Sequence, residues 1–105
     1  MDRKFQHELI VAVANRGFAE EVMDAAKSAK AVGGTVVHAR GTGIKEAEKF
    51  FGITIQPEKE LILIVAPSKH RQGIMEAIAT KAGLKTEAKS IVFSLPVTGV
   101  AGLRF

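Results

Sequence analysis

The chain of 105 residues predicts an α+β fold, one antiparallel four-stranded sheet with two helices on one face. Two observations lead there. Glu8-Leu9-Ile10-Val11-Ala12-Val13-Ala14 returns as Glu60-Leu61-Ile62-Leu63-Ile64-Val65-Ala66, a shift of 52 positions, and the same shift carries Val22-Met23-Asp24-Ala25-Ala26 onto Ile74-Met75-Glu76-Ala77-Ile78. Each half is also an apolar run followed by a helical pattern and a second β-rich segment. Two copies are too few for a solenoid, which needs roughly three or more. They suit a β-α-β-β-α-β order in which each half is a split unit with a right-handed crossover. That is the ferredoxin-like architecture, a double βαβ in a single domain spanning residues 1–105.

The elements follow in order. Residues 8–14 form a continuous apolar run suited to a buried strand. Asn15-Arg16-Gly17 breaks it. Phe18, Val22, Ala25, Ala29 and Val32 then recur at helical spacing, with Glu20, Glu21, Asp24, Lys27 and Lys30 on the other side. Gly33-Gly34 is expected to end this helix, because glycine accepts the left-handed conformation a C-cap requires. Thr35 to Arg40 is the second strand, closed by Gly41-Thr42-Gly43. Residues 44–51 read as a short helical segment stopped by Gly52, with Ile53-Thr54-Ile55 a brief extension before Gln56-Pro57. Residues 60–66 are the third strand, ended by Pro67, which has no N–H for a ladder. Ser68 is the expected N-cap of a helix over residues 70–82, with Gly83 as its C-cap. Residues 90–97 alternate around Ile91, Phe93 and Leu95 as the fourth strand, and 98–105 form a tail.

Helices on one face leave the other face of the sheet uncovered. Strands one and three carry almost no polar residues, so Ile10, Ala12, Ile62 and Ile64 are expected to face water in a monomer, alongside Leu9, Val11, Val13 and their counterparts. A wide apolar face is more often an interface than an exposed patch, which predicts an obligate oligomer.

Composition narrows the function classes. No apolar run approaches the roughly 18 residues of a membrane span, and Met1-Asp2-Arg3-Lys4 opens no signal-peptide pattern, so a cytoplasmic location is expected. Without cysteine there are no disulfides, thiolate metal sites or cysteine nucleophiles. A net charge of +4 favours small anionic ligands without marking a nucleic-acid surface. Readers of single-stranded RNA on this topology stack bases on aromatics of the central strands, and those strands have none. His7, His38 and His70 show no metal-ligand spacing. No Ser-His-acid arrangement appears, and Asn15-Arg16-Gly17-Phe18 is too short and too poor in glycine for an acyl-phosphate cradle. No catalytic activity is expected.

The halves differ mainly between Gly41 and Pro57. Gly41-Thr42-Gly43 is either a plain turn or a place where backbone N–H groups approach a phosphate, with Arg40, Lys45 and Lys49 nearby in sequence. Phe50-Phe51-Gly52-Ile53 is either satellite core or an apolar contact for a partner. Lys89, after Glu87-Ala88, is either a solvated lysine or a cation at a cleft edge.

Gly33 to Gly43 (GGTVVHARGTG), the strand from Pro57 to Ala66 and the ending Ala88 to Pro96 (AKSIVFSLP) resemble the nitrogen-regulatory P-II signalling proteins, particularly their divergent PII-like relatives. The similarity runs from about Glu8 to Leu103. It implies a homotrimer that binds adenine nucleotides in clefts between subunits, with a T-loop (here shortened, about 42–57) reporting the ligand to an enzyme or transporter. By the same resemblance Gly41 and Gly43 match glycines at the T-loop base, Thr35 matches a threonine near the adenine, and Lys89 matches the lysine closing the phosphate-contacting B-loop.

The chain departs from the family in several places. Thr86-Glu87-Ala88 stands where the family has Gly-Asp-Gly, and Ile44-Lys45 where it has Arg-Gln. Only Arg104 remains of an arginine-bearing C-terminal strand, and tyrosine modification is impossible in a chain with no tyrosine.

The expectation is therefore a non-enzymatic signal-transduction protein needing no cofactor or metal, with ATP, ADP or another small anion as effector. Its nucleotide-binding residues are expected to be Thr35, Gly41, Gly43, Lys45 and Lys89, with Phe50 and Phe51 meeting the partner. The alternatives are a small trimeric ferredoxin-like enzyme or metal-handling protein using His38 or His70, or an amino-acid-binding regulatory domain.

Overall fold

The computed structural model describes residues 5–41, 48–50, 53–55 and 57–103. The elements run β1 (His7–Asn15), α1 (Ala19–Ser28), β2 (Thr35–Arg40), β3 (Glu48–Phe50), β4 (Ile53–Ile55), β5 (Glu58–Pro67), α2 (Arg71–Ala82) and β6 (Ile91–Val97), with a 3₁₀ turn at Ser68–His70. The main sheet has the order β2-β5-β1-β6, with every pairing antiparallel, so the ferredoxin-like prediction holds.

The repeat is visible in the register. Val11 lies opposite Leu63, its own counterpart at the 52-residue shift, so the pseudo-twofold axis relating the halves passes through that pair. Pleating then sorts the central strands by alternate residues. Ile10, Ala12, Ala14, Ile62, Ile64 and Ala66 turn to the helices and are sealed by Val22, Ala25 and Ala26 of α1 and Ile74, Ile78 and Ala82 of α2. Ile10, Ala12, Ile62 and Ile64 are therefore dry core rather than the water-facing set expected from sequence. The apolar open face is made by the other alternation. Leu9, Val13, Leu61, Leu63 and Val65 are half-buried there, while Ile91, Phe93 and Leu95 on edge strand β6 are 52%, 45% and 46% exposed.

Three local expectations are corrected. Helix α1 stops at Ser28, before Gly33-Gly34. Lys30 takes a left-handed φ of 86°, donating its N–H to Lys27, while Ala31 donates to Ala26 at 3.0 Å. This is a Schellman closure with lysine at the glycine position, and it lets Ala31 enter the core. Val32 consequently leaves the helical stripe and is 69% exposed. Gly34 serves close approach instead. A Cβ there would lie 2.9 Å from the Leu63 carbonyl and 3.1 Å from Met23 Sδ.

Ser68 does not cap α2. It is buried, its Oγ donates to the Phe5 carbonyl and its N–H to that of Gln6, so it ties the N-terminal segment to the sheet. Gly83 does close α2, in extended rather than left-handed backbone. Glycine is needed there because a Cβ would meet the Ala79 carbonyl oxygen at 2.1 Å.

The helical expectation over residues 44–51 fails where the structure describes it. Glu48–Phe50 is a strand paired with Ile53–Ile55, Phe50 opposite Ile53. A two-residue connection containing Gly52 and the β-branched run Ile53-Thr54-Ile55 favour a hairpin over a helix.

Two stability effects follow. Lys30→Gly removes a left-handed lysine whose side chain is exposed, and thermal unfolding should show a gain of about 0.5–1 kcal/mol. Gly83→Ala should cost about 1–3 kcal/mol or more, because backbone rather than a flexible side chain must yield. An unchanged melting temperature for Gly83→Ala would mean that the α2 terminus shifts freely.

Candidate functional site

One end of the sheet gathers the carboxyl ends of β1 and β2, the start of β5 and the turn leading into β6. The ladder sets the levels: Asn15 lies opposite Lys59, and Lys59 opposite Ala39. Gly41 extends the β2–β5 ladder by donating its N–H to the Pro57 carbonyl at 3.3 Å. That N–H is therefore engaged, and the other residues of the glycine motif, Thr42 and Gly43, lie outside the described residues. Lys45 and Phe51 lie outside them too. Phe50 closes β3.

Lys59 stands beside Gly41. A Cβ on Gly41 would touch the lysine Cγ at 4.0 Å, and the ammonium donates to Asn15 Oδ1 at 2.7 Å. Lys59 is 9% exposed, so its stem is packed and its charge is held in place. Asn15 also donates Nδ2 to the Glu87 carbonyl and its backbone N–H to that of Ala88, at 3.0 and 2.9 Å. The turn before β6 is thereby laid across the end of β1.

Lys89 leaves that turn with a φ of 46°, left-handed for a lysine, and its side chain is exposed. The turn is closed on itself. Thr86 donates both N–H and Oγ1 to the Gly83 carbonyl, Lys89 N–H goes to Thr86, and Ser90 donates N–H and Oγ to Ala82. The backbone donors of Thr86, Lys89 and Ser90 therefore point inward. Of the residues expected from sequence, this turn offers a ligand the exposed Lys89 side chain.

The same end carries carboxylates. Arg16 pairs with Glu58 through an exposed ion pair. Glu60, 7% exposed, accepts the Gly17 N–H at 2.8 Å and has His38 Nδ1 at 3.4 Å. His70 lies beyond the far end of β5, ahead of α2, so His38 and His70 share no site. Among the described residues no group of three or more His, Cys, Asp or Glu side chains is placed to hold a metal ion.

Gly41 and Lys89 thus lie along one sheet end, with Lys59 and Asn15 between them. Three strand spacings put the span at roughly 14 Å. Thr35 is elsewhere. It starts β2 opposite Leu63, about 20 Å from Gly41 along the strand. A groove of about 590 Å³ lies at the β6 edge, lined by Ala79, Gly83, Leu84, Lys85, Ile91 and Val92. None of the residues expected from sequence lines it.

Sequence reasoning missed Lys59 and Asn15. The signal for Lys59 was a cation in the charged run Glu58-Lys59-Glu60 at the mouth of an apolar strand. Asn15 looked only like a strand terminator, since its partners are distant in the chain.

Among the described residues no helix is long and apolar enough to cross a membrane. The family model described as nitrogen regulatory protein P-II matches the chain over residues 7–105. No curated protein matches it.

Proposed function

The chain belongs to the nitrogen regulatory protein P-II family, and on that premise we propose that it is a homotrimeric signalling protein that senses an adenine nucleotide or similar small anion between its subunits. The observation that carries this reading is the line Gly41, Lys59, Lys89 along one sheet end. Its length of roughly 14 Å suits an extended nucleotide better than a lone phosphate. That line is one open wall, and a second subunit supplies the other. The apolar face of Leu9, Val13, Leu61, Leu63, Val65, Phe93 and Leu95 gives such a subunit a surface to pack on.

In this reading Gly41 and Gly43 admit the phosphates, Lys45 and Lys89 supply charge beside Lys59, and Thr35 meets a ligand part on a neighbouring subunit. Phe50 and Phe51 present the response to a regulated enzyme or membrane transporter, in the cytoplasm and without catalysis by the chain itself.

Light scattering should give about three times the 11.2 kDa chain mass, and Phe93→Asp should shift the protein towards monomer. A clean monomer for the parent chain would remove the second wall of the cleft.

Calorimetry with ADP, ATP and cyclic AMP should detect binding of at least one. Lys89→Ala should weaken it roughly tenfold or more, the worth of one charge-assisted hydrogen bond of about 1.5–3 kcal/mol. Gly41→Val should abolish it by filling the approach to the strand end. Binding that survives both substitutions would put the nucleotide elsewhere, and no binding by any of the three would assign the sheet end to another anion.

A further inference from the structure

We propose that Asn15 is the positioning residue of this sheet end, coupling Lys59 beside Gly41 to the turn that carries Lys89. Its consequence for ligand rests on the functional reading above; its geometry does not. Asn15 makes three hydrogen bonds in two directions. Oδ1 accepts from Lys59 Nζ at 2.7 Å, while Nδ2 donates to Glu87 O at 3.0 Å and the backbone N–H to Ala88 O at 2.9 Å.

The chemistry allows one orientation of the carboxamide. An ammonium only donates and a peptide carbonyl only accepts, so the oxygen faces Lys59 and the nitrogen faces Glu87. A planar amide carrying both contacts transmits rotation. If Lys59 swings towards an anion, Oδ1 loses the partner that holds the plane, and the grip of Nδ2 on Glu87 weakens with it.

Glu87 is the point where this grip matters. It lies between Thr86 and Ala88, inside the turn closed by the Lys89 N–H on the Thr86 carbonyl. Lys89 itself sits at a φ of 46°, which costs a non-glycine residue energy and persists only where its surroundings impose it. The two bonds from Asn15 hold the preceding residues and so impose it. Other residues fail on simple grounds: aspartate has no donor for Glu87, leucine has neither group, and serine is too short to reach both sides. Engaging Lys59 therefore changes the placement of Lys89, and the two cations act as one site.

Amide hydrogen exchange on the full chain, without ligand, tests the coupling. Lys59→Met removes the ammonium and keeps the stem. It should speed exchange at Lys89 and Thr86 about three- to tenfold, the worth of one neutral hydrogen bond, while the β1 and β5 amides stay unchanged. In an Asn15→Leu background those turn amides should already exchange fast, and adding Lys59→Met should change nothing more. Asn15→Asp keeps the acceptor for Lys59 and loses the donor, so it should free the turn as leucine does.

Turn exchange that ignores Lys59→Met, or responds to it equally in the Asn15→Leu chain, overturns the proposal. A purely structural asparagine would give additive effects. In the ligand arm Asn15→Leu should weaken ADP binding by a similar three- to tenfold. If none of ADP, ATP and cyclic AMP binds the parent chain, the nucleotide reading fails, and the exchange comparison still decides the coupling.

Discussion

The antiparallel pairing of β1 with β5 is the constraint on which the rest of the molecule depends. Because each strand sits opposite its own repeat, with Val11 against Leu63 at the axis, one register fixes both halves at once. A slip of one residue would turn one strand over relative to the other and exchange its two faces. For β5, Ile62, Ile64 and Ala66 would leave the helices, and Leu61, Leu63 and Val65 would enter the layer in their place. Alanines at positions 12, 14, 25, 26, 66 and 82 let the helices settle close to the sheet. Leucine in that layer would hold them off.

The same ladder builds the candidate site without dedicated machinery. On the open face of β1 and β5, the pair that follows Val13 and Leu61 is Asn15 with Lys59. Two polar side chains meet there because register continues past the core. The turn before β6 then crosses β1 and accepts hydrogen bonds from Asn15. A cation, an amide and a turn are brought together by strand pairing, so the site inherits the rigidity of the sheet.

Much of this was legible in the sequence, for reasons that differ by element. The strands and helices were readable because burial imposes periods on Ile10 to Ala14, Val22 to Ala26 and their repeats. Helix ends were read less well. Gly33-Gly34 drew the eye as a terminator, yet the turn occurs at Lys30, because Ala31 must reach the core and a lysine tolerates the left-handed position at some cost. Glycines at 34 and 83 are needed for close backbone approach, a requirement set by Leu63 and Ala79 and invisible in a local window. The strand Glu48–Phe50 was misread as helix because its pairing with Ile53–Ile55 lies outside any reading of residues 44–51 alone. Within the candidate site, Gly41 and Lys89 were named from the residues and from the resemblance, and strand pairing puts them along one sheet end. Asn15 and Lys59 were missed because their role depends on partners 72 and 44 residues away.

The replacement of a glycine-rich loop by Thr86-Glu87-Ala88 has a physical meaning in this setting. A glycine loop offers bare N–H groups and lets a phosphate rest on backbone. Here threonine folds the turn back on Gly83, Ala88 is fully buried, and the N–H groups of Lys89 and Ser90 are spent on the carbonyls of Thr86 and Ala82. In the proposed reading, recognition of an anion at this edge falls to the lysine side chain and not to a cradle of dipoles. A side-chain contact demands less of ligand shape and depends more on charge and salt. The backbone position of Lys89 then matters more than in a loop of glycines, since a single ammonium must be aimed. In that reading its left-handed backbone, following residues bonded to Asn15, does that aiming.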